Sequence, residues 1–496
     1  MTVLESLVQP ATWEQPGGGY WAGAWQEGSA SRTIYDPEDG TAVGTVAEVT
    51  AAETRAAVDH IARSWQQRRW PLWQRREAME QAAGLVIERR AMLAELITAE
   101  GVKTYTEASR EIDRAAETLG LSARAAEHLT GGAVRFEDTS RGEGWYGWLR
   151  REPVGLVAAI TPFNDPLNLP AHKLGPALVA GNPVLLKPAE QTPLTALALV
   201  QVLLEAGVPG EYLAVLPGGQ AGPALVANPR VDVVSFTGGP ETADRIARGG
   251  PARKLLMELG GNNALIACSD ADPQQVARAI VDGAFGVAGQ NCLSVQRVFL
   301  DGEIAAEVTS AVVDAASRLR VGSKRDPRTQ VGPLVSEAAS RRIRSWIDEA
   351  LAGGARLLTG GERTGPFLAP AVLIDVPAGA SLRTNEVFGP VVVLETFTDV
   401  RDAVAAANAV ETGMQAGVFT GDLDLALQIA DRLRVGAVMI NDSSDFRIDA
   451  MPFGGFKRSG TGREGPAWLV HELSAPKMVA VHRSVPAPWA TEEERR

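Results

Sequence analysis

The chain has two cysteines in 496 residues, and one of them, Cys292, lies in Gly289-Gln290-Asn291-Cys292-Leu293-Ser294. A thiol acts as a nucleophile when it is ionised and within reach of a substrate, and small polar neighbours suit such a position. The plainer reading is a core cysteine, because free cysteine is usually buried. Cys268, which closes the apolar run Ala264-Leu265-Ile266-Ala267, fits that description better. Upstream, Glu258 stands between Leu255-Leu256-Met257 and Leu259-Gly260-Gly261. A carboxylate ending an apolar strand is partly desolvated, which lifts its pKa toward the range of a general base; a solvated strand-end glutamate is the competing reading. A thiol nucleophile and a carboxylate base are the parts needed to oxidise an aldehyde through a thioester, provided that a dinucleotide binds nearby.

Other segments supply candidate groups for both tasks. Thr161-Pro162-Phe163-Asn164 follows an apolar run, so the Asn164 amide could donate to a developing oxyanion beside a backbone N–H. Lys187 and Glu190, in Leu186-Lys187-Pro188-Ala189-Glu190, are placed to meet the hydroxyls of a ribose, or simply each other as a surface ion pair. Phe236-Thr237-Gly238-Gly239-Pro240 reads as strand, turn and helix entry, whose free N–H groups could meet a phosphate. Leu216-Pro217-Gly218-Gly219 is a weak glycine signal, and no Gly-x-Gly-x-x-Gly fingerprint is present.

These residues need a scaffold of alternating strands and helices. Apolar runs at 154–160, 183–187, 213–216 and 231–236 alternate with helix-length segments at 172–180, 195–206 and 222–227. A further helix at 242–248 and a strand at 254–259 end on Glu258. Such alternation predicts βαβ units and a doubly wound parallel sheet. A second alternating region runs from Ala264 to about Asn441, with helices at 273–285 and 304–319. Before the first sheet, Thr50-Ala51-Ala52-Glu53 reads as a capping box, and one long helix is expected over 75–98. The first 30 or so residues read as a surface lead-in. Trp145 to Arg150 and Lys477 to His482 look like an arm and a terminal strand, whose open edges suit an intersubunit sheet.

Hydrophobic residues make up 45% and charged residues 22% of the chain, as in an ordinary globular protein. Its length suits roughly three domains of ~150 residues. The net charge of −12 argues against a basic nucleic-acid-binding surface. The histidines (60, 128, 172, 471, 482) are scattered, so no metal is expected. No apolar run approaches the ~20 residues of a membrane span, and no secretory signal is expected. With two cysteines and no disulfide framework, a reduced cytoplasmic setting is expected.

Together and in this order, Thr161-Pro162-Phe163-Asn164, Lys187-Pro188-Ala189-Glu190, Phe236-Thr237-Gly238-Gly239, Glu258-Leu259-Gly260-Gly261 and Gly289-Gln290-Asn291-Cys292 resemble the aldehyde dehydrogenase superfamily. Asn385-Glu386-Val387-Phe388-Gly389-Pro390 and Pro452-Phe453-Gly454-Gly455-Phe456-Lys457-Arg458-Ser459-Gly460 extend the resemblance, which runs from Trp21 to about Arg483. It implies an α/β fold of two doubly wound domains plus a small β oligomerisation arm. Residues 1–134 and 155–257 would form an NAD-binding Rossmann-like domain, 258–470 the catalytic domain, and 135–154 with 471–489 the arm. Residues 490–496 would be a disordered tail.

The resemblance also implies roles. Cys292 would be the nucleophile, with Asn164 and the Cys292 N–H as the oxyanion hole. Glu258 would activate the hydrolytic water, and Glu464, in Gly462-Arg463-Glu464-Gly465, would relay protons. Thr161, Pro162, Lys187, Glu190, Phe236, Thr237, Gly238, Gly239, Glu386 and Phe388 would hold NAD. NADP is possible, although a carboxylate at 190 would repel a 2′-phosphate. Gly239 stands where many members have Ser, which removes one possible phosphate contact. Asn262 replaces a frequent Lys.

The segment Asn441 to Asp449 resembles the branch of lactaldehyde, phosphonoacetaldehyde and non-phosphorylating glyceraldehyde-3-phosphate dehydrogenases. In that branch arginines at the positions of Arg114 and Arg447 can meet an anionic substrate, and a guanidinium suits a carboxylate or phosphonate. The alternative pairs Arg114 with Glu111 or Glu117, and Arg447 with Asp445 or Asp449. Phe163, Asp165, Asn168, Asn291, Leu293 and Phe453 complete the expected pocket. Asn291 and Asp165 depart from the anion-binding members, and Asp165 could instead meet an amine or hydroxyls. A small polar or anionic aldehyde is the expected substrate, with amino or aromatic aldehydes as alternatives. A CoA-acylating enzyme and a non-catalytic structural protein fit less well, and a homodimer or homotetramer is expected.

Overall fold

The computed structural model describes residues 13–483, so the expected tail at 490–496 lies outside the described residues. Five parallel strands form the centre of the first sheet, in the order Leu213–Val215, Val184–Lys187, Val157–Ile160, Val233–Gly238 and Lys254–Leu259. Their apolar runs are almost continuous because helices cover both faces. Val157–Ile160 is buried at every residue. The register aligns Ile160 with both Lys187 and Phe236, and Thr237 with Glu258. The segments singled out for chemistry therefore leave one carboxyl edge together, where ligands of open α/β sheets bind.

The second sheet follows the order Arg356–Thr359, Ala371–Ile374, Val391–Phe397, Val295–Asp301, Asn263–Ala267, Gln415–Phe419 and Ala437–Ile440. All its pairings are parallel except that of Arg356–Thr359 with Ala371–Ile374. A separate antiparallel sheet joins Ser474–His482 to Trp145–Pro153 over nine paired residues, with Gly132–Val134 on the other edge. The chain returns to the first sheet late. Gly460–Thr461 pairs antiparallel with Lys254–Leu259, and the helix Pro466–Glu472 packs on the wholly buried helix Asn168–Ala180.

The capping box at Thr50 forms as expected, with Thr50 accepting from the Glu53 N–H and Glu53 accepting from the Thr50 N–H. Two expectations need correcting. The single helix over 75–98 is two helices, Leu72–Glu88 and Arg90–Glu100, broken at Arg89, whose side chain is held by Glu205. The lead-in is not all surface, because Gly19–Trp21 pairs with Leu213–Val215 and buries Tyr20 and Trp21. Aromatic bulk so close to the start outweighs the glycines around it. No helix among the described residues is long and apolar enough to cross a membrane.

Candidate active site

Cys292 lies in the loop between the helix Pro273–Phe285 and the strand Val295–Asp301. The loop is fixed from several sides. Val287 and Ala288 adopt left-handed backbone conformations (φ 51° and 52°), and the Val287 N–H donates to Glu107 Oε1 at 2.8 Å. A Cβ on Gly289 would lie 2.2 Å from the Gly389 carbonyl oxygen, so only glycine permits this approach. Gln290 is buried and donates to the Val287 and Pro333 carbonyls while accepting from the Val335 N–H. Asn263 Nδ2 donates to the Cys292 carbonyl at 2.8 Å and the Ser294 carbonyl at 3.0 Å. The Cys292 N–H donates to nothing among the described residues. Its side chain is partly buried against Leu293, Met414 and Phe453.

Glu258 ends its strand fully enclosed, and neither carboxylate oxygen has a hydrogen-bond partner. Burial pushes it up to about 8, the negative charge of Glu464 adds to this, and Arg447 opposes it. Burial also lifts the Cys292 thiol well above its ordinary value, with Glu258 reinforcing and Arg447 opposing. The thiol and carboxylate are near enough to shift one another, although no hydrogen bond of ordinary geometry joins them. Asn164, in the turn after Val157–Ile160, is buried with Oδ1 unpartnered. Glu464 is tied to Lys173 and Thr237 through Oε1 (3.1 and 3.2 Å) and to Arg447 through Oε2 (3.2 Å). Burial alone would raise Glu464, but Lys173 and Arg447 hold it below the usual carboxylate range. A small cavity behind Glu258 is lined by Lys173, Ser235 and Glu464.

The groups expected around a dinucleotide gather along the same sheet edge. Strand alternation divides the segment 235–237, with Phe236 entering the core below while Ser235 and Thr237 face Lys173 and Glu464. The side chains of Phe236 and Thr237 thus turn into the protein. What the segment offers is backbone. Gly239 caps the helix Pro240–Gly249 without a side-chain hydrogen bond; Pro240 has no N–H and the Thr242 N–H donates to the Gly239 carbonyl, which leaves the Glu241 N–H as the free donor of the first three residues. Lys187 Nζ is 3.9 Å from Glu190, and a Cβ on Gly219 would come within 3.3 Å of the Glu190 carboxylate. Arg32, which sequence reasoning did not single out, contacts Glu190 Oε2 at 2.8 Å. Glu386 accepts from the Gly261 N–H at 3.1 Å, and Phe388 meets Phe163 edge-on at 5.8 Å. Thr161 is buried beside the half-buried Pro162, its N–H donating to the Lys187 carbonyl. The helix N-terminus, which carries the Glu241 carboxylate in its first turn, and the glycine-lined approach to Glu190 are where a pyrophosphate and an adenosine ribose would be held.

The expected substrate pocket splits in two. Arg447 is enclosed, stacked 3.8 Å above the Phe453 ring, with Nε buried and unpartnered. It pairs with Glu464 rather than with Asp445 or Asp449. Arg114 instead forks onto Asp449 at 3.1 and 3.0 Å, with Asp165 at 3.4 Å, and not onto Glu111 or Glu117. Asp165 is no open acid, since Lys103 and Arg114 hold it below the usual carboxylate range against the effect of burial. Asn168 does not line the pocket. It is wholly buried, binding Thr118 and Asp449 beneath the floor. The Asn291 side-chain oxygen, Oδ1, accepts from the Leu293 N–H at 2.8 Å. Lys103, Lys173 and His172 join these contacts and were not singled out in the sequence, whereas Glu111 and Asp449 entered there only as ion-pair partners of the arginines.

The aldehyde dehydrogenase family matches residues 25–479 of this chain. An aspartate-semialdehyde dehydrogenase of Pseudomonas canavaninivorans is 43% identical over 456 residues, covering 90% of this chain and 96% of that protein. The structure of an NADP-dependent glyceraldehyde-3-phosphate dehydrogenase from Bacillus halodurans, complexed with NADP, superposes with a TM-score of 0.91 at 32% identity, covering 95% of this chain and all of the other (100%). The NAD+ complex of a Bacillus cereus aldehyde dehydrogenase gives a TM-score of 0.89 at 31% identity, covering 94% and 96%. In sequence and in architecture, this chain belongs to the aldehyde dehydrogenase family.

Proposed function

We propose that this protein oxidises a small anionic aldehyde to its acid with NAD or NADP, through a thioester on Cys292. The observation that supports this reading is a thiol beside a carboxylate whose two oxygens are both buried and unpartnered, with the Cys292 N–H also free among the described residues. The thiol proton passes to Glu258, directly or through water, and sulfur adds to the aldehyde carbon. Asn164 Nδ2 and the Cys292 N–H receive the oxyanion. The helix N-terminus at Gly239 would hold the pyrophosphate, Lys187 and Glu190 the adenosine ribose, and Glu386 and Phe388 the nicotinamide end. The nicotinamide, when bound, accepts the hydride that leaves the tetrahedral adduct. Glu258, free of its proton, then takes one from a water that attacks the thioester, releasing the acid and restoring the thiol. Glu464 and Lys173 offer a path toward the cavity behind Glu258 for the thiol's proton, which Glu258 must shed before the water attacks, while the water's proton returns to the departing sulfur.

Arg447 supports the anionic substrate, since it is buried at the pocket with donors to spare. Arg114 is better assigned to the wall, because Asp449 engages two of its nitrogens. The name of the Pseudomonas relative, which acts on an aldehyde bearing a carboxylate, is in keeping with this. The test is reduced-cofactor formation across neutral, aromatic, hydroxy-, carboxy- and phosphono-aldehydes with NAD and NADP. Preference for an anionic aldehyde that disappears in Arg447→Ala supports the reading. Equal use of neutral aldehydes by both forms removes Arg447 from substrate binding.

A further inference from the structure

The acidic groups at the pocket are not equally available. Asp165 is taken by Lys103 and Arg114, Asp449 by Arg114, His172 and Asn168, and Glu464 by Lys173, Thr237 and Arg447. Asp445 differs. Its only hydrogen bond among the described residues is from its backbone N–H to Ser443 Oγ at 3.2 Å, and its carboxylate joins no ion pair. The segment is anchored beside the nucleophile, because Ser444 Oγ donates to the Leu293 carbonyl at 2.7 Å and Gln415 Nε2 donates to the Ser444 and Phe446 carbonyls. Side chains alternate along it. Phe446 and Ile448 are exposed, whereas Asp445, Arg447 and Asp449 turn inward. Asp449 is fully paired, so the segment presents one acid and one base to the pocket with capacity left over.

We propose that Asp445 and Arg447 read a zwitterion: the substrate is an aldehyde carrying both an ammonium and a carboxylate, with Asp445 accepting from the ammonium and Arg447 donating to the carboxylate. This rests on the aldehyde oxidation proposed above and specifies its substrate. Asp445 is a half-buried carboxylate with no ion-pair partner, and the buried Arg447 Nε–H lacks an acceptor, which costs free energy; one ligand with both charges would engage both. A substrate bearing only negative charge would relieve Arg447 but face Asp445. Burial lifts Asp445 to about 7, with Arg114 opposing and Asp165, Asp442 and Asp282 reinforcing, so a cation beside it would favour its ionised form.

Aspartate semialdehyde and succinate semialdehyde differ only in the ammonium group, so the ratio of their kcat/KM values isolates it. The wild-type enzyme is expected to prefer aspartate semialdehyde by about 10-fold or more, the size of one charged hydrogen bond. Asp445→Asn is expected to cut that ratio about 10-fold and to raise kcat/KM for succinate semialdehyde by removing a like charge. Asp442→Asn, on an exposed neighbour, leaves the ratio alone. A wild-type ratio at or below one overturns the proposal, even if the Asn variant does not fold. So does an Asp445→Asn enzyme with the wild-type ratio. No oxidation of any aldehyde by the wild type would instead overturn the parent reading, a failure plainly distinct from a ratio of one.

Discussion

Two charged regions meet at the Asn164 turn, both deep in the protein, and they treat their polar atoms in opposite ways. On one side, Lys103, Glu111, Asp165, Arg114, Asp449 and His172 form a network closed except at His172 Nδ1, which is buried without a partner. Glu111 Oε1 accepts from the Leu167 and Asn168 N–H groups, while its Oε2 accepts from Lys103. His172 Nε2 lies 2.8 Å from Asp449 Oδ1. On the other side, around Cys292, both Glu258 oxygens, Asn164 Oδ1 and Arg447 Nε are buried and bare. Satisfied buried networks rigidify a fold, whereas each bare group costs stability. The closed network is scaffold, and the bare groups wait for something that is not part of the chain.

That contrast is broken most sharply at the thiol. Cys292→Ala is expected to lower turnover by at least about 10⁴-fold, as loss of a nucleophile does, without moving the unfolding midpoint appreciably. Retained activity in a steady-state assay would remove the thioester route. Glu258→Gln comes next, at about 10²- to 10⁴-fold in steady-state turnover. A single-turnover burst of reduced cofactor is expected to survive, leaving acylated Cys292 detectable by mass. Wild-type turnover is expected to rise with pH as Glu258 ionises, through about 8. The same shift has a sign for stability. Because the folded-state pKa is raised, stability is lost as pH climbs from the ordinary carboxylate range through about 8. Glu258→Gln is therefore expected to be more stable than wild type at pH 8, with the gap closing as pH falls toward 5. A variant equally stable at both values would mean that the carboxylate is not bare in solution.

Across the divide, the expected loss is in stability. Asp449→Ala strands Arg114 and leaves Asn168 and His172 without their acceptor. Breaking a buried ion cluster on one side costs about 3 to 5 kcal/mol. A lowered denaturation midpoint checks this, and a midpoint unchanged within error would show that water replaces Asp449 without loss.

The same divide explains what could be read from the sequence. The groups around Cys292 stand at strand ends, beside glycines and short turns, and local pattern marks such places. Glu258, Asn164 and the Gly239 helix entry were legible for that reason. The closed network is assembled from distant segments: Asp449 meets Arg114 and His172 from 335 and 277 residues further along the chain. Glu107, Glu111, Arg114, Thr118 and Ser122 recur at helical spacing in Tyr105–Ala125 and read as a solvent face, yet Glu111, Thr118 and Ser122 are buried. The capping box at Thr104, with Lys103 just before it, was the one local clue that this stripe begins inside the protein. Arg89, a charged residue in an otherwise continuous helical pattern, likewise gave no sign of the break that its tertiary partner Glu205 accompanies.

A third arrangement lies at the rim and should show the smallest effect. Arg32 Nη1 is 2.8 Å from Glu190 Oε2, with Glu48 3.7 Å from Arg32 Nε. Glu190 alone would disfavour a 2′-phosphate, but a guanidinium on its carboxylate offsets part of that repulsion and can itself face the phosphate. Both partners are solvent-accessible, so the pair is screened and worth little as a salt bridge. Its value lies in discrimination between the two cofactors. Arg32→Ala is expected to raise the NAD-over-NADP ratio of kcat/KM by a few-fold, about the effect of one screened charge, and the change should shrink in high salt. Glu190→Gln is expected to move the ratio the other way. If both variants moved it in the same direction, Arg32 would be holding Glu190 in place for the ribose rather than tempering its charge.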